Sequence, residues 1–210
     1  MNKTVFFIDD DEIQRRGCVD ALQDLFKDTT IQIEPLVPFA TLAEYSALIA
    51  SNAAAAFILD ERLTTTGIVT YNGLALAAHL RSIGGDLLPI VILTNFPPDD
   101  FPPQGWAVEN IFEKKILTDL SSPGAQALKL RLLRQIEITG VLLAEREQRF
   151  HDLLIKSLKE KLTADEEHEL SALEGVRLVS TQAQEFHDAK SLENAIEKLK
   201  AKLEPDKLNL

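Results

Sequence analysis

Apolar side chains along the chain follow two different patterns. In residues 1–122, short unbroken runs recur between polar or turn residues: Val5 to Ile8, Ile31 to Val37, Ala54 to Leu59, Leu87 to Leu93 and Asn110 to Glu113. Val5-Phe6-Phe7-Ile8 and Pro89-Ile90-Val91-Ile92-Leu93 are apolar at every position, so both faces must be buried. That suits strands of a parallel sheet covered by helices on each side. Between the runs the spacing turns helical. It predicts helices from Glu12 to Phe26, from Thr41, with Glu44 completing a capping box, and from Gly73 to Ile83. Joined by right-handed crossovers, these elements predict an α/β fold built on a doubly wound five-stranded parallel sheet.

The second pattern starts at Ser122-Pro123, a good helix cap and first helical residue. Leu128, Leu132, Ile136, Leu143, Phe150, Leu154, Leu158 and Leu162 then form one helical stripe. A helix continuous to Leu162 has 40 residues, about 60 Å of length, and must leave the sheet unit. Thr163 and Glu166 make a second capping box, opening a short helix that Gly175 is expected to end. A last stripe runs from Val179 to Leu203, and Pro205 stops it. Residues 123–210 therefore read as an all-α helical hairpin or bundle attached to a unit of residues 1–122.

The charge distribution supports this division. The 210 residues include 22 Lys and Arg against 33 Asp and Glu, a net charge of -11. Residues 1–124 hold 8 basic and 17 acidic side chains and eight of the nine prolines, whereas residues 125–210 hold 14 basic and 16 acidic ones. Neither part has the clustered excess of Lys and Arg that a phosphate backbone requires, so nucleic-acid binding is not expected. No apolar run reaches the roughly 18 residues of a membrane span, so no membrane association is expected either. Cys18 stands alone and cannot form an internal disulfide, and the N-terminus reads as a strand and not a signal peptide. A cytoplasmic location is the resulting expectation.

Ligands of open parallel sheets bind beyond the carboxyl ends of the strands, which directs attention to the residues there. Asp9-Asp10-Asp11-Glu12 follow the first run, Asp60 the third, Thr94 the fourth and Lys114-Lys115 the fifth. Clustered carboxylates repel one another and call for a hard cation such as Mg²⁺. A hydroxyl and an ammonium supply donors for phosphoryl oxygens.

On these residues the first 122 positions resemble the receiver domain of two-component response regulators. VFFIDDDE resembles the strand ending in an acidic pair, here Asp9 and Asp10. AAFILDE resembles the strand presenting the phosphorylatable aspartate, here Asp60. IVILTN carries the hydroxyl as Thr94, and IFEKK the lysine as Lys114. The resemblance implies a flavodoxin-like sheet and a phosphoacceptor signalling protein, not a conventional enzyme. Asp60 would take a phosphoryl group from a histidine kinase or phosphotransfer protein. Mg²⁺ would be held by Asp10, Asp60 and the backbone carbonyl of Arg62, with Asp9 holding metal-bound water. Lys114 would neutralise the acyl phosphate and Thr94 would relay its formation. Output would run by protein contact through residues 123–210, as a homodimer or a docking surface, without DNA binding.

The chain also departs from that pattern. Thr64 replaces a customary proline, and the insert from Thr64 to Asn72 is expected to overhang the site. Lys115 replaces the proline after the lysine, Ile111 stands at the usual switching aromatic, and Asn95 replaces a small residue. Pro97, Pro98, Pro102 and Pro103 exclude a regular fourth helix, so a loop or very short helix is expected there. Three other readings share some residues. One is a pseudo-receiver scaffold that keeps the residues without the switch. Another is a haloacid-dehalogenase-like phosphatase with Asp9 as nucleophile and Asp11 as acid/base, which leaves Asp60 without a role. The third is phosphotransfer at His151, in a stretch faintly resembling the phosphoacceptor helix of some histidine kinases.

Overall fold

The computed structural model describes residues 3–50, 54–84, 87–95 and 110–175. In chain order the elements are β1 (Lys3–Ile8), α1 (Glu12–Phe26), β2 (Ile31–Leu36), a 3-10 turn (Leu42–Tyr45) running into α2 (Ser46–Ala50), and β3 (Ala56–Asp60). Next come α3 (Gly73–Gly84), β4 (Ile90–Thr94), β5 (Ile111–Glu113), a second 3-10 turn (Lys114–Thr118) and α4 (Pro123–Lys159). Residues 164–175 are helical and are termed α5. The five strands form one parallel sheet in the order β2-β1-β3-β4-β5.

Continuous apolar strands work because the sheet has a core on each face. Alternate residues of a strand point to opposite sides. Val5, Phe7, Ile58, Val91 and Leu93 face one side, where they pack with Val19, Leu22 and Phe26 of α1 and with Ala125, Leu128, Leu132 and Ile136 of α4. Ile8, Phe57, Leu59, Ile90 and Ile92 face the other, against Tyr45, Leu76, Ala77 and Leu80. Burial on both faces is what removes the polar alternation of a half-exposed strand.

The helix expected from Thr41 is a 3-10 turn followed by a single short turn of α-helix. The Glu44 carboxylate accepts from the Thr41 amide and hydroxyl at 3.1 and 3.0 Å, so the predicted box is present at its start. The long helix is capped as expected, Ser122 Oγ accepting from the Ala125 amide at 3.3 Å. Its first part belongs to the sheet's own core, which therefore continues past position 122. Thr139 still reaches that unit, its hydroxyl donating to the Leu87 carbonyl at 2.6 Å.

Helix α4 has 37 residues, not 40, because Glu160 is extended (φ -153°, ψ 166°) and caps the last turn. Its length is about 55 Å. Glu166 accepts from the Thr163 amide and hydroxyl, opening α5 as the sequence predicts. Arg149 pairs with Glu169 through two bonds of 2.9 and 2.6 Å, and Lys156 with Glu166 at 2.7 Å, tying α5 back along α4. Gly175 is helical. The stripe from Val179 to Leu203 and the proline-rich stretch 97–103 both lie outside the described residues. No helix among the described residues is long and apolar enough to cross a membrane.

Candidate functional site

The chain leaves β1 for β2 on one side and returns to β3 on the other, so strand order reverses between β1 and β3. A crevice opens at the carboxyl ends of such a pair. Asp9 and Asp10 follow β1 there, Asp60 ends β3 beside them, Thr94 ends β4, and Lys114 directly follows β5. All five are buried, with exposures of 1, 4, 7, 1 and 8 % respectively. Polar groups buried to that degree require partners.

Lys114 partners two of the carboxylates. Its four-carbon stem reaches inward from the sheet's edge strand, and its ammonium lies 2.7 Å from Asp60 Oδ1 and 2.8 Å from Asp9 Oδ2. A third bond, of 3.0 Å, goes to Gln14 Oε1 and uses the last of the three donors. Asp9 Oδ1 accepts from the Asp11 amide at 2.9 Å, and Arg15 Nη1 donates to the Asp9 carbonyl at 2.6 Å. Asp60 Oδ2 accepts from the Arg62 amide at 3.1 Å. Asp10 Oδ2 accepts from the amide and the hydroxyl of Thr66 at 2.6 and 2.8 Å.

Gly73 packs against the end of β3. Its amide donates to the Glu61 carbonyl at 2.8 Å, and a Cβ at this position would lie 2.1 Å from the Asp60 carbonyl oxygen. Only glycine lets α3 begin so close to the end of β3.

Two carboxylates share one ammonium and a third, Asp10, stands beside them, an excess of negative charge in a poorly solvated place. Burial pushes the Asp9 carboxyl up from its usual 3.8, with Lys114 pulling the other way and the Asp60 charge adding to the rise. Burial likewise raises the Asp60 carboxyl, against the charge and hydrogen bond of Lys114. For Lys114, burial alone lowers the ammonium's pKa, but the charges and bonds of Asp60 and Asp9 outweigh it and hold the group above 10.5.

A hard divalent cation fits this arrangement. Ligand oxygens of Asp9, Asp10 and Asp60 lie within 4.8 Å of one another. Asp10 Oδ1 is buried and takes no hydrogen bond among the described residues, which is the condition of an atom left for a ligand. All three donors are carboxylate oxygens, the chemistry that Mg²⁺ and Mn²⁺ prefer. The Arg62 carbonyl is on the adjoining loop, where it accepts from the Thr65 hydroxyl at 3.2 Å.

Two other sequence candidates sit elsewhere. Asp11 caps α1, its Oδ1 accepting from the amides of Ile13 and Gln14 at 2.9 and 3.0 Å. His151 is exposed on the second half of α4. Sequence reasoning passed over Gln14, Arg15 and Thr66. Gln14 stands one helical turn beyond Asp10, a spacing that carries a side chain back over the same strand end. The Thr66 contact spans 56 positions and had no signal beyond the length of its loop. No family model matches the chain, and a search of curated proteins finds no match to it.

Proposed function

We propose that this protein is a Mg²⁺-dependent phosphoacceptor of the receiver kind, with Asp60 as the acceptor residue and a histidine kinase or phosphotransfer protein as the donor. The observation that carries the reading is the Lys114 ammonium bridging Asp60 and Asp9, beside an Asp10 oxygen left without a partner.

Phosphoryl transfer needs positioning and neutralised charge more than covalent help from the protein. An Asp60 oxygen attacks the phosphorus of a phosphohistidine. The P–N bond breaks, the imidazole leaves and takes up a proton, and an acyl phosphate remains on Asp60. Lys114 already sits against Asp60 and offers its positive charge to the incoming phosphoryl oxygens. Thr94, at the end of the neighbouring strand, offers a hydroxyl to the same group. Bound at Asp10, Asp60 and the Arg62 carbonyl, with Asp9 acting through water, Mg²⁺ would supply the remaining positive charge.

Lys114 also begins the 3-10 turn whose Leu117 packs in the same core as Ala125 and Leu128 of α4. A shift of Lys114 towards the phosphoryl group therefore biases the seating of α4, and through it the presentation of residues 123–210 to a second copy or to another protein. Asp11 is engaged as a helix cap, which weighs against the haloacid-dehalogenase-like alternative.

The test is treatment of the full chain with acetyl phosphate, with and without Mg²⁺, followed by intact mass measurement. The reading expects one phosphoryl increment that needs Mg²⁺, survives acid, is removed by hydroxylamine and is lost in Asp60→Asn. An adduct that persists in Asp60→Asn contradicts it.

A further inference from the structure

The loop between β3 and α3 reaches across the candidate site and holds one of its carboxylates. Leu63 and Val69, on either side of the reach, are buried in the core that also contains β3 and α3. Between them the Gly67 amide donates to the Thr64 carbonyl at 3.3 Å, and Gly67 has φ +75°, a left-handed conformation that favours glycine. This turn aims the Thr66 amide and hydroxyl at Asp10 Oδ2, at 2.6 and 2.8 Å. Farther along, the Tyr71 hydroxyl donates to the Phe39 carbonyl at 2.5 Å and lies 3.2 Å from the Tyr45 hydroxyl. The loop is thus anchored in apolar core before and after Thr66 and tied by a hydrogen bond on its return.

Two donors on one oxygen occupy both of its lone pairs and fix the rotation of the carboxylate. The other oxygen, Oδ1, is buried and takes no hydrogen bond among the described residues, in a residue only 4 % exposed whose carboxylate offers an oxygen within 4.8 Å of oxygens of Asp9 and Asp60. From this we infer that Thr66 is a positioning residue that presents Asp10 to a divalent cation through a single oxygen and so determines which cation the site prefers. The inference rests on the cation reading proposed above.

The physical reason is coordination number. Mg²⁺ and similarly small cations take six ligands in near-octahedral geometry and suit single carboxylate oxygens, whereas Ca²⁺ takes up to about eight and is commonly chelated by both oxygens of a carboxylate. With Oδ2 committed to Thr66, the two-oxygen mode is closed. Binding is also reciprocal with the loop: a cation that favours the fixed Asp10 rotamer favours the Thr66 contact by the same factor.

The experiment is calorimetric titration of the full chain with Mn²⁺ and separately with Ca²⁺, in the wild type, Thr66→Val and Thr66→Ser. Hydrogen exchange of the 63–70 peptide is followed with and without Mn²⁺. Loss of a group that orients a metal ligand weakens affinity by about 10- to 100-fold. Thr66→Val keeps the amide bond to Asp10 Oδ2 and loses the hydroxyl bond of 2.8 Å, freeing one lone pair of that oxygen. It is expected to lose Mn²⁺ affinity at the lower end of that range and to lose less for Ca²⁺, lowering the preference between the two. Thr66→Ser is expected to restore both values, and Mn²⁺ is expected to slow exchange in the loop of the wild type. Wild-type binding of Mn²⁺ with the Mn²⁺ to Ca²⁺ preference unchanged in Thr66→Val would overturn the role of Thr66 alone. Absence of any Mn²⁺ binding by the wild type would overturn the cation reading together with it.

Discussion

Replacing Lys114 with Met keeps most of the aliphatic stem and removes the ammonium. The lost group makes bonds of 2.7 Å to Asp60, 2.8 Å to Asp9 and 3.0 Å to Gln14, and is 8 % exposed. At an effective dielectric of about 20, each of the two ion contacts is worth roughly 6 kcal/mol of attraction, which the cost of desolvating the charges largely offsets. What remains after truncation is a pair of buried carboxylates without a counter-charge. Such a change costs about 3–5 kcal/mol.

The assay is urea denaturation of wild type and Lys114→Met in the absence of divalent cations, repeated across pH. The Asp9 and Asp60 carboxyls already lie above 3.8 in the folded protein, and losing Lys114 raises them further. A carboxyl whose folded pKa is raised destabilises the fold when ionised and ceases to do so once protonated. The deficit of the variant is therefore largest near neutrality and shrinks as the pH falls through those raised values. Added Mg²⁺ is expected to narrow it as well, by supplying the missing positive charge. A deficit below about 1 kcal/mol, or one that does not change with pH, would refute the account of the site as a charge cluster balanced by Lys114.

Asp11→Ala removes the α1 cap and is expected to cost about 1 kcal/mol in the same denaturation assay while leaving phosphoryl uptake intact, which separates a cap from a catalytic acid. Gly73→Ala places a Cβ against the Asp60 carbonyl, 2.1 Å away before any relaxation, and is expected to lose about 1–3 kcal/mol of stability and to slow phosphoryl uptake as Asp60 shifts. Protons compete with a cation for Asp9 and Asp60, so calorimetric Mn²⁺ affinity is expected to be level near neutrality and to fall as the pH drops towards the raised carboxyl values. Affinity unchanged down to about pH 4 would mean that these carboxylates do not hold the cation, Asp60 directly and Asp9 through water.

The sheet and the site residues were legible for related reasons. Burial on both faces leaves unbroken apolar runs, and a polar residue closing such a run marks a strand end, as Asp60 does after Ala56 to Leu59 and Thr94 after Ile90 to Leu93. Helix α1 was bounded by its apolar spacing from Glu12 to Phe26, whereas the cap that Asp11 provides at its start is seen only in the structure. Less was legible where distant parts meet. The insert was expected to overhang the site, but its length alone cannot select Thr66 or an oxygen of Asp10. The third partner of Lys114 was hidden because Gln14 reads as an ordinary helix residue. The stripe on α4 runs on without a change of period from Ile136, buried in the sheet's core, to Leu158, which is 82 % exposed. Periodicity therefore does not tell where that helix leaves the sheet.

The proposed role of Asp60 as acceptor is open to the most direct test. Borohydride reduces an acyl phosphate to an alcohol and releases phosphate, so treating the acetyl phosphate adduct with it converts a phosphorylated aspartate into homoserine at that position. Peptide mass mapping of the reduced protein is expected to find homoserine at residue 60, only when Mg²⁺ was present during phosphorylation. Homoserine at residue 9, or an adduct retained on His151, would contradict the assignment of Asp60.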